Sequence, residues 1–194
     1  SSQLLRERRE GAAAVPAAEG ETDADRRAAE EFYTSPADAA TGTAYHAFLE
    51  NVDFSAPPAE EIARVRAQLP PEQAALLDDA RLASILAMPV FASLRGAALR
   101  REQPFLLGLP ASRLYPGASE DTVLVQGVID LLAVQGEEAV VVDYKYSSHS
   151  EEQLKQDYAA QVDIYVAAAS QWPGVRRVSA YLVNILRGYC VRVR

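Results

Sequence analysis

The sequence predicts an α/β domain: a central mixed β-sheet flanked by helices, with a helical first half. Three observations predict it. Tyr45, Phe48, Leu49 and Val52 recur at the i, i+3, i+4, i+7 spacing of an amphipathic helix. Two apolar runs, Thr122–Val134 and Ala139–Tyr146, meet at Gly136-Glu137 as the strands of a hairpin do. A long helical pattern opening at Ser150 separates that hairpin from two further short strands.

Residues 1–40 are rich in Ala, Glu, Asp and Arg and hold few large apolar residues at any steady period. They read as an acidic linker or poorly ordered tail, with a short helix near Ala24–Tyr33. A tail of this kind joins one domain to another, so the chain reads as a piece of something longer, with residues 41–194 as its folded domain. The Tyr45 stripe starts a helix at Thr43. Residues 58–69 and 71–87 follow as two helices, parted by Pro70-Pro71 and stopped at Pro89, and Val90–Arg95 adds a turn. Ala98–Leu107 alternates loosely and carries Pro104, which suits an edge strand. The helix after Ser150 has Gln153 three residues on, a capping box, and closes at Pro173-Gly174. Arg177–Leu186 and Tyr189–Arg194 end the chain as strands about Gly188.

With 49% hydrophobic and 24% charged residues over 194 positions, the chain can supply its own core without staples. Cys190 is its single cysteine. That excludes an intramolecular disulfide, a four-cysteine zinc site and a four-cysteine iron–sulfur cluster, and suits a reducing, cytoplasmic setting. No run approaches the roughly 20 apolar residues of a membrane span, and SSQLLRERRE lacks a signal peptide's apolar segment. Most of the net charge of -8 lies in residues 1–60, with 5 Lys/Arg against 12 Asp/Glu, leaving 14 against 15 in the rest. After Asp163 the only charged residues are Arg176, Arg177, Arg187, Arg192 and Arg194, so one end of the fold could face phosphates.

The hairpin carries the chemistry. If Gly136-Glu137 is a two-residue type II′ turn, opposed residues have numbers summing to 273 and Asp130 faces Asp143. Directly opposed like charges destabilise a sheet, so something must compensate. Lys145 lies on the same face about 7 Å along the strand from Asp143. Val128, Leu132, Val134, Ala139 and Val141 share that face; Ile129, Leu131, Val140, Val142 and Tyr144 take the other. Both faces are apolar, so the hairpin belongs inside a covered sheet. Two readings fit these residues alone. One is an Asp143–Lys145 ion pair at a strand end with Asp130 in a solvated turn. The other is a divalent cation, magnesium or manganese, held by both carboxylates with the lysine beside it. Such a cation polarises a phosphoryl oxygen and acidifies a bound water.

Gly127-Val128-Ile129-Asp130, Val142-Asp143-Tyr144-Lys145 and Gln161-Val162-Asp163-Ile164-Tyr165 together resemble the signature of the RecB-like branch of the PD-(D/E)xK nuclease superfamily. Gly42–Glu50 is similar to that branch's upstream histidine helix, and Arg101–Phe105 to its glutamate strand. These five motifs run in family order from Gly42 to the C-terminus. Within the branch the chain most resembles the C-terminal nuclease domain of AddA-type helicase–nuclease subunits, because AddB-type and CRISPR-associated relatives need four cluster-binding cysteines. No GxxxxGK[ST] phosphate loop occurs here, so any helicase motor would lie upstream.

The resemblance implies a restriction-endonuclease-like core and a magnesium-dependent (manganese possible) deoxyribonuclease without an iron–sulfur cluster. It implies an exonuclease that resects DNA ends in double-strand-break repair and recombination. Its partners would be single-stranded ends delivered by a motor, upstream helicase domains and an AddB-like subunit, with no membrane. It further implies metal ligation by His46, Asp130, Asp143 and the Tyr144 carbonyl, a catalytic Lys145, and supporting roles for Glu102, Gln161 and Tyr165. Taken alone, His46 sits one position off its apolar stripe, Glu102 is a strand charge, and Gln161 and Tyr165 share a packing stripe with Leu154, Tyr158, Ala168 and Trp172. Ser150 is accounted for as a cap, and neither His46 nor His149 completes a nucleophilic triad. Two competing readings remain at this point: a standalone or phage-type exonuclease of the same superfamily, and a degenerate DNA-guiding module.

Overall fold

The computed structural model describes residues 36–114 and 117–194. Residues 1–35 of the expected tail, with the expected helix near Ala24–Tyr33, lie outside the described residues. Helix α1 spans Pro36–Asn51 and begins before Thr43, the position where large apolar residues first announce it. Its early turns, Pro36 to Gly42, hold no large apolar residue and so carry no amphipathic signal. The Thr41 and Thr43 hydroxyls donate to the carbonyls four residues back, which lets them sit inside a helix.

Helix α2 is Pro58–Arg66. The single helix expected over 71–87 is two, α3 at Pro71–Ala74 and α4 at Asp79–Leu86. Asp78 causes the break. Its side chain caps α4 by accepting from the Arg81 amide at 2.7 Å, while its own amide donates to the Tyr45 hydroxyl at 3.0 Å. Pro89, expected as a stop, opens the short helix α5, Pro89–Ser93.

Strand β1 runs Ala98–Pro110, β2 Thr122–Gln135 and β3 Glu138–Lys145. Helix α6 is Glu151–Ala169 and opens with the expected capping box between Ser150 and Gln153. Strands β4, Arg177–Asn184, and β5, Tyr189–Arg192, complete a five-stranded sheet ordered β1-β2-β3-β4-β5. Only β3 and β4 are parallel, so the sheet is mixed, as expected. Gly136 has φ +60°, while Glu137 is not in the left-handed region, as a type II′ turn requires, and the β2–β3 register follows the sum of 273.

Both faces of the sheet are covered. Tyr45, Phe48, Leu82, Ile85 and Phe91 pack on Leu131, Ala133, Val142 and Val183. On the opposite face, Leu154, Val162, Tyr165 and Ala169 of α6 pack on Leu132, Val141, Ala180 and Leu182. Ile129 departs from the expected alternation: it joins the α6 cluster rather than Leu131's, and the slip coincides with Asp130, where pairing with β1 is interrupted opposite Glu102.

Three of the basic C-terminal residues are engaged in ion pairs. Arg176 pairs with Glu137 at 3.0 Å, Arg177 with Glu138 at 2.7 Å and Arg194 with Asp163 at 2.7 Å. The first two lie at the hairpin-turn end of β3, about 23 Å along the strand from Lys145. No helix among the described residues is long and apolar enough to cross a membrane.

One buried polar residue ties the end of β4 to the loop before α6. The Asn184 side chain is fully buried; its amide donates to the Ser147 hydroxyl at 3.3 Å and the Tyr189 hydroxyl at 3.1 Å, and its oxygen accepts from the Arg187 amide at 3.0 Å. Asn184→Leu would strand these groups. Thermal unfolding should show a loss of about 2–4 kcal/mol.

Candidate active site

The site forms where the hairpin opens. In β2–β3 the pairs alternate between hydrogen-bonded and non-bonded, and the last paired residues are Leu131 and Val142. Continued regularly, the ladder would send the Tyr144 amide to the Ile129 carbonyl. Instead that amide donates to Asp130 Oδ2 at 2.8 Å. Each strand is held by its outer neighbour: β2 by β1 through the Gln103–Ile129 pair, β3 by β4 through Lys145–Asn184. The fork between them contains Asp130 and Asp143.

A second interruption lies at the same level. The β1–β2 pairing passes from Arg101–Leu131 to Gln103–Ile129 and skips Glu102, the residue opposite Asp130. Glu102 has φ +46°, the one non-glycine residue at positive φ among the described residues. Such backbone costs about 1–3 kcal/mol and concentrates at functional sites.

Lys145 supplies the compensation that opposed carboxylates require. Its Nζ donates to Asp143 Oδ1 at 3.1 Å and lies 2.9 Å from Oδ2. Burial raises both carboxyl pKa values to about 6; Lys145 opposes this on each, the Tyr144 amide helps to lower Asp130, Glu102 raises Asp130 further, and Asp130 raises Asp143. Burial alone would lower Lys145, but Asp143 and Asp130 outweigh it and hold the ammonium above its ordinary range.

His46 projects from α1, with Nδ1 3.8 Å from Asp130 Oδ2 and its ring edge-on to Tyr144. Burial lowers its pKa, against the pull of Asp143 and a hydrogen bond with the Tyr144 backbone. The ring of Tyr144 lies in the helix-side core, as expected, leaving its backbone at the fork. Burial and the charges of Asp143, Asp130 and Glu102 raise the Tyr165 hydroxyl, and its ring meets Phe105 edge-on at 5.8 Å. Phe105 in turn lies over Gly127, where a Cβ would come within 2.8 Å of its ring. That contact accounts for glycine three residues before Asp130. Gln161 Oε1 is buried with no hydrogen-bond partner among the described residues. Cys190 is a free cysteine whose thiol is pushed up to about 11 by burial.

Sequence reasoning missed two neighbours of the site. Burial raises the carboxyl of Glu102, and Glu50, one turn after His46 on α1, raises it further. Tyr158, one turn before Gln161 on α6, places its ring centroid 4.5 Å from Lys145 Nζ. Helical spacing from His46 and Gln161 was the available signal for both.

Among the described residues no three His, Cys, Asp or Glu side chains close into a ligand set; Lys145 and the Tyr144 amide occupy the carboxylates. The donors nevertheless fit a hard divalent cation. Asp143 Oδ2 is buried without a hydrogen bond, since Lys145 Nζ meets it only as an ion pair. Two buried carboxyls with raised pKa values hold negative charge that a cation would stabilise.

Comparison with known proteins agrees with this geometry. The family model of the PD-(D/E)XK nuclease superfamily matches residues 22–188. The chain is 32% identical over 160 residues to the AddA protein of the ATP-dependent helicase/nuclease of Carboxydothermus hydrogenoformans, covering 74% of this chain and 14% of that protein. Its similarity to the protein of the same name from Desulforudis audaxviator is 32% over 165 residues, 77% of this chain and 13% of the relative. For the Moorella thermoacetica protein it is 36% over 141 residues, 66% and 10%. The chain thus spans about a seventh or less of the length of these relatives. With the family model matched over most of the chain, and its aspartates and lysine meeting where two strands part, the chain belongs to the PD-(D/E)XK nuclease superfamily.

Proposed function

We propose that this domain hydrolyses DNA phosphodiester bonds with the help of a divalent cation, magnesium or manganese. The observation that carries the reading is the strand fork, which sets the buried Asp143 carboxylate against Lys145 beside Asp130. Asp130, Asp143, His46 and the Tyr144 carbonyl would hold the cation, whose chemistry is to polarise a phosphoryl oxygen and acidify water. Lys145 keeps its proton at neutral pH, because the two aspartates hold its pKa up. It therefore acts as a hydrogen-bond donor and fixed positive charge where phosphoryl charge builds, not as a base. Glu102, Gln161 and Tyr165 border the same space and orient the strand and the lysine.

The larger role follows from the helicase/nuclease name of the relatives. We take residues 41–194, with the first turn of α1 from Pro36, as an exonuclease domain and the residues before them as a linker. It would work in the cytoplasm beneath upstream helicase domains and beside an AddB-like partner. There it would trim single-stranded ends delivered by the motor during double-strand-break repair.

The test is release of nucleotides from single-stranded DNA with and without magnesium. Wild type should be active only with the metal, and Asp130→Ala and Lys145→Ala should each lose on the order of 10³-fold. Equal release by wild type and Asp130→Ala would end the enzymatic reading.

A further inference from the structure

Resting on the nuclease reading, we propose that Tyr158 is a positioning residue: its ring face holds the Lys145 ammonium beside Asp143. Nothing in the family signature singles out this position. Lys145 ends β3 on a flexible four-carbon stem, and two carboxylates compete for its charge. Attraction alone would let Nζ swing between Asp143 and Asp130. The ring centroid of Tyr158, 4.5 Å from Nζ, closes one side of that space, and Asp143 at 2.9 and 3.1 Å closes another. A ring face attracts a cation through its quadrupole and denies it water on that side. The Lys145 side chain is 17% exposed.

The platform is rigid because its helix is anchored on both sides of it. The capping box at Ser150 fixes the start of α6, Leu154 is fully buried one turn before Tyr158, and Val162 one turn after it. Tyr158 itself is half-buried, packed against the α6-side core and with its ring face turned to the Lys145 ammonium. Phenylalanine at this position keeps the ring over Nζ and so separates the ring's contribution from the hydroxyl's.

Two measurements test this. The first compares Tyr158→Leu and Tyr158→Phe in magnesium-dependent hydrolysis of single-stranded DNA, each also in a Lys145→Ala background. Leucine should lower kcat about tenfold with KM changed less than about twofold, and phenylalanine should recover most of the loss. In the Lys145→Ala background, leucine should cost nothing further. The second needs no metal and no turnover. The Lys145 Cε proton resonances should be shifted upfield by the ring, should stay shifted in Tyr158→Phe and should return to ordinary positions in Tyr158→Leu. Unshifted Lys145 resonances in wild type, or an equal loss from leucine with and without Lys145, would overturn the proposal. Failure of wild type to cut DNA would remove the nuclease reading alone, since the resonances still decide whether the ring holds the ammonium.

Discussion

Replacing Lys145 by methionine is expected to make the metal-free fold sharply pH-sensitive as well as inactive. The folded pKa values of Asp130 and Asp143, about 6, lie above the ordinary 3.8, so the folded state binds more protons than the unfolded chain between those limits. Stability from this source is complete below about pH 3.8, falls as pH rises, and levels off above about pH 6. Lys145 is the chief influence holding both values down against burial. Without it they rise further, and the window of falling stability extends upward. At pH 5 the variant carries mostly neutral carboxyls and should unfold close to wild type. At pH 8 it must ionise buried acids without their cation, a penalty of about 3–5 kcal/mol, or roughly 10 °C in Tm for a domain of this size. Melting curves in a chelator at the two pH values check this. A loss of equal size at both would mean that the lysine contributes packing and not charge.

Asp130→Asn should separate activity from stability. The Asp130 side chain is 14% exposed, and its ionised form is opposed first by burial and also by Glu102. Asparagine keeps the shape and can still offer an oxygen to the Tyr144 amide, now 2.8 Å from Oδ2, while removing the charge. In a chelator at pH 7.5 the variant should be at least as stable as wild type. Hydrolysis should nonetheless fall on the order of 10³-fold, because the lost carboxylate supplies several kcal/mol of charge stabilisation through the metal. Added magnesium should raise the Tm of wild type and leave that of Asp130→Asn almost unchanged. A variant that is both active and destabilised would reverse the assignment and make Asp130 a structural residue.

The sequence carries those parts of the fold in which one residue type enforces one local geometry. Glycine ahead of Glu137 sets a turn whose geometry fixes the β2–β3 register, and with it the meeting of Asp130 and Asp143. Ser150 and Gln153 fix the start of α6 by satisfying each other's backbone amides. Legibility fails where tertiary contacts override a continuous pattern. The helical signal over 71–87 is unbroken, yet Tyr45, thirty-three residues upstream, takes the Asp78 amide and lets Asp78 cap a separate helix. The strand fork is of the same kind: alternation predicts Ile129 beside Leu131, but the pairing is interrupted at Asp130 and Glu102 and Ile129 turns to the α6 side. Glu102's left-handed backbone gives no sign in composition, since glutamate has no preference for it. Tyr158 is hidden for the opposite reason, because a tyrosine on an apolar stripe reads as core until its ring is seen against an ammonium.

Calorimetric titration of the metal-free domain with manganese at pH 7.5, comparing wild type with Asp130→Asn and Asp143→Asn, tests the shared cation most directly. Wild type should bind, and each neutralised aspartate should weaken binding by about tenfold or more. Affinity that is unchanged in both variants would show that the fork between β2 and β3 does not hold the ion, and the proposed chemistry would have to be sought elsewhere in the fold.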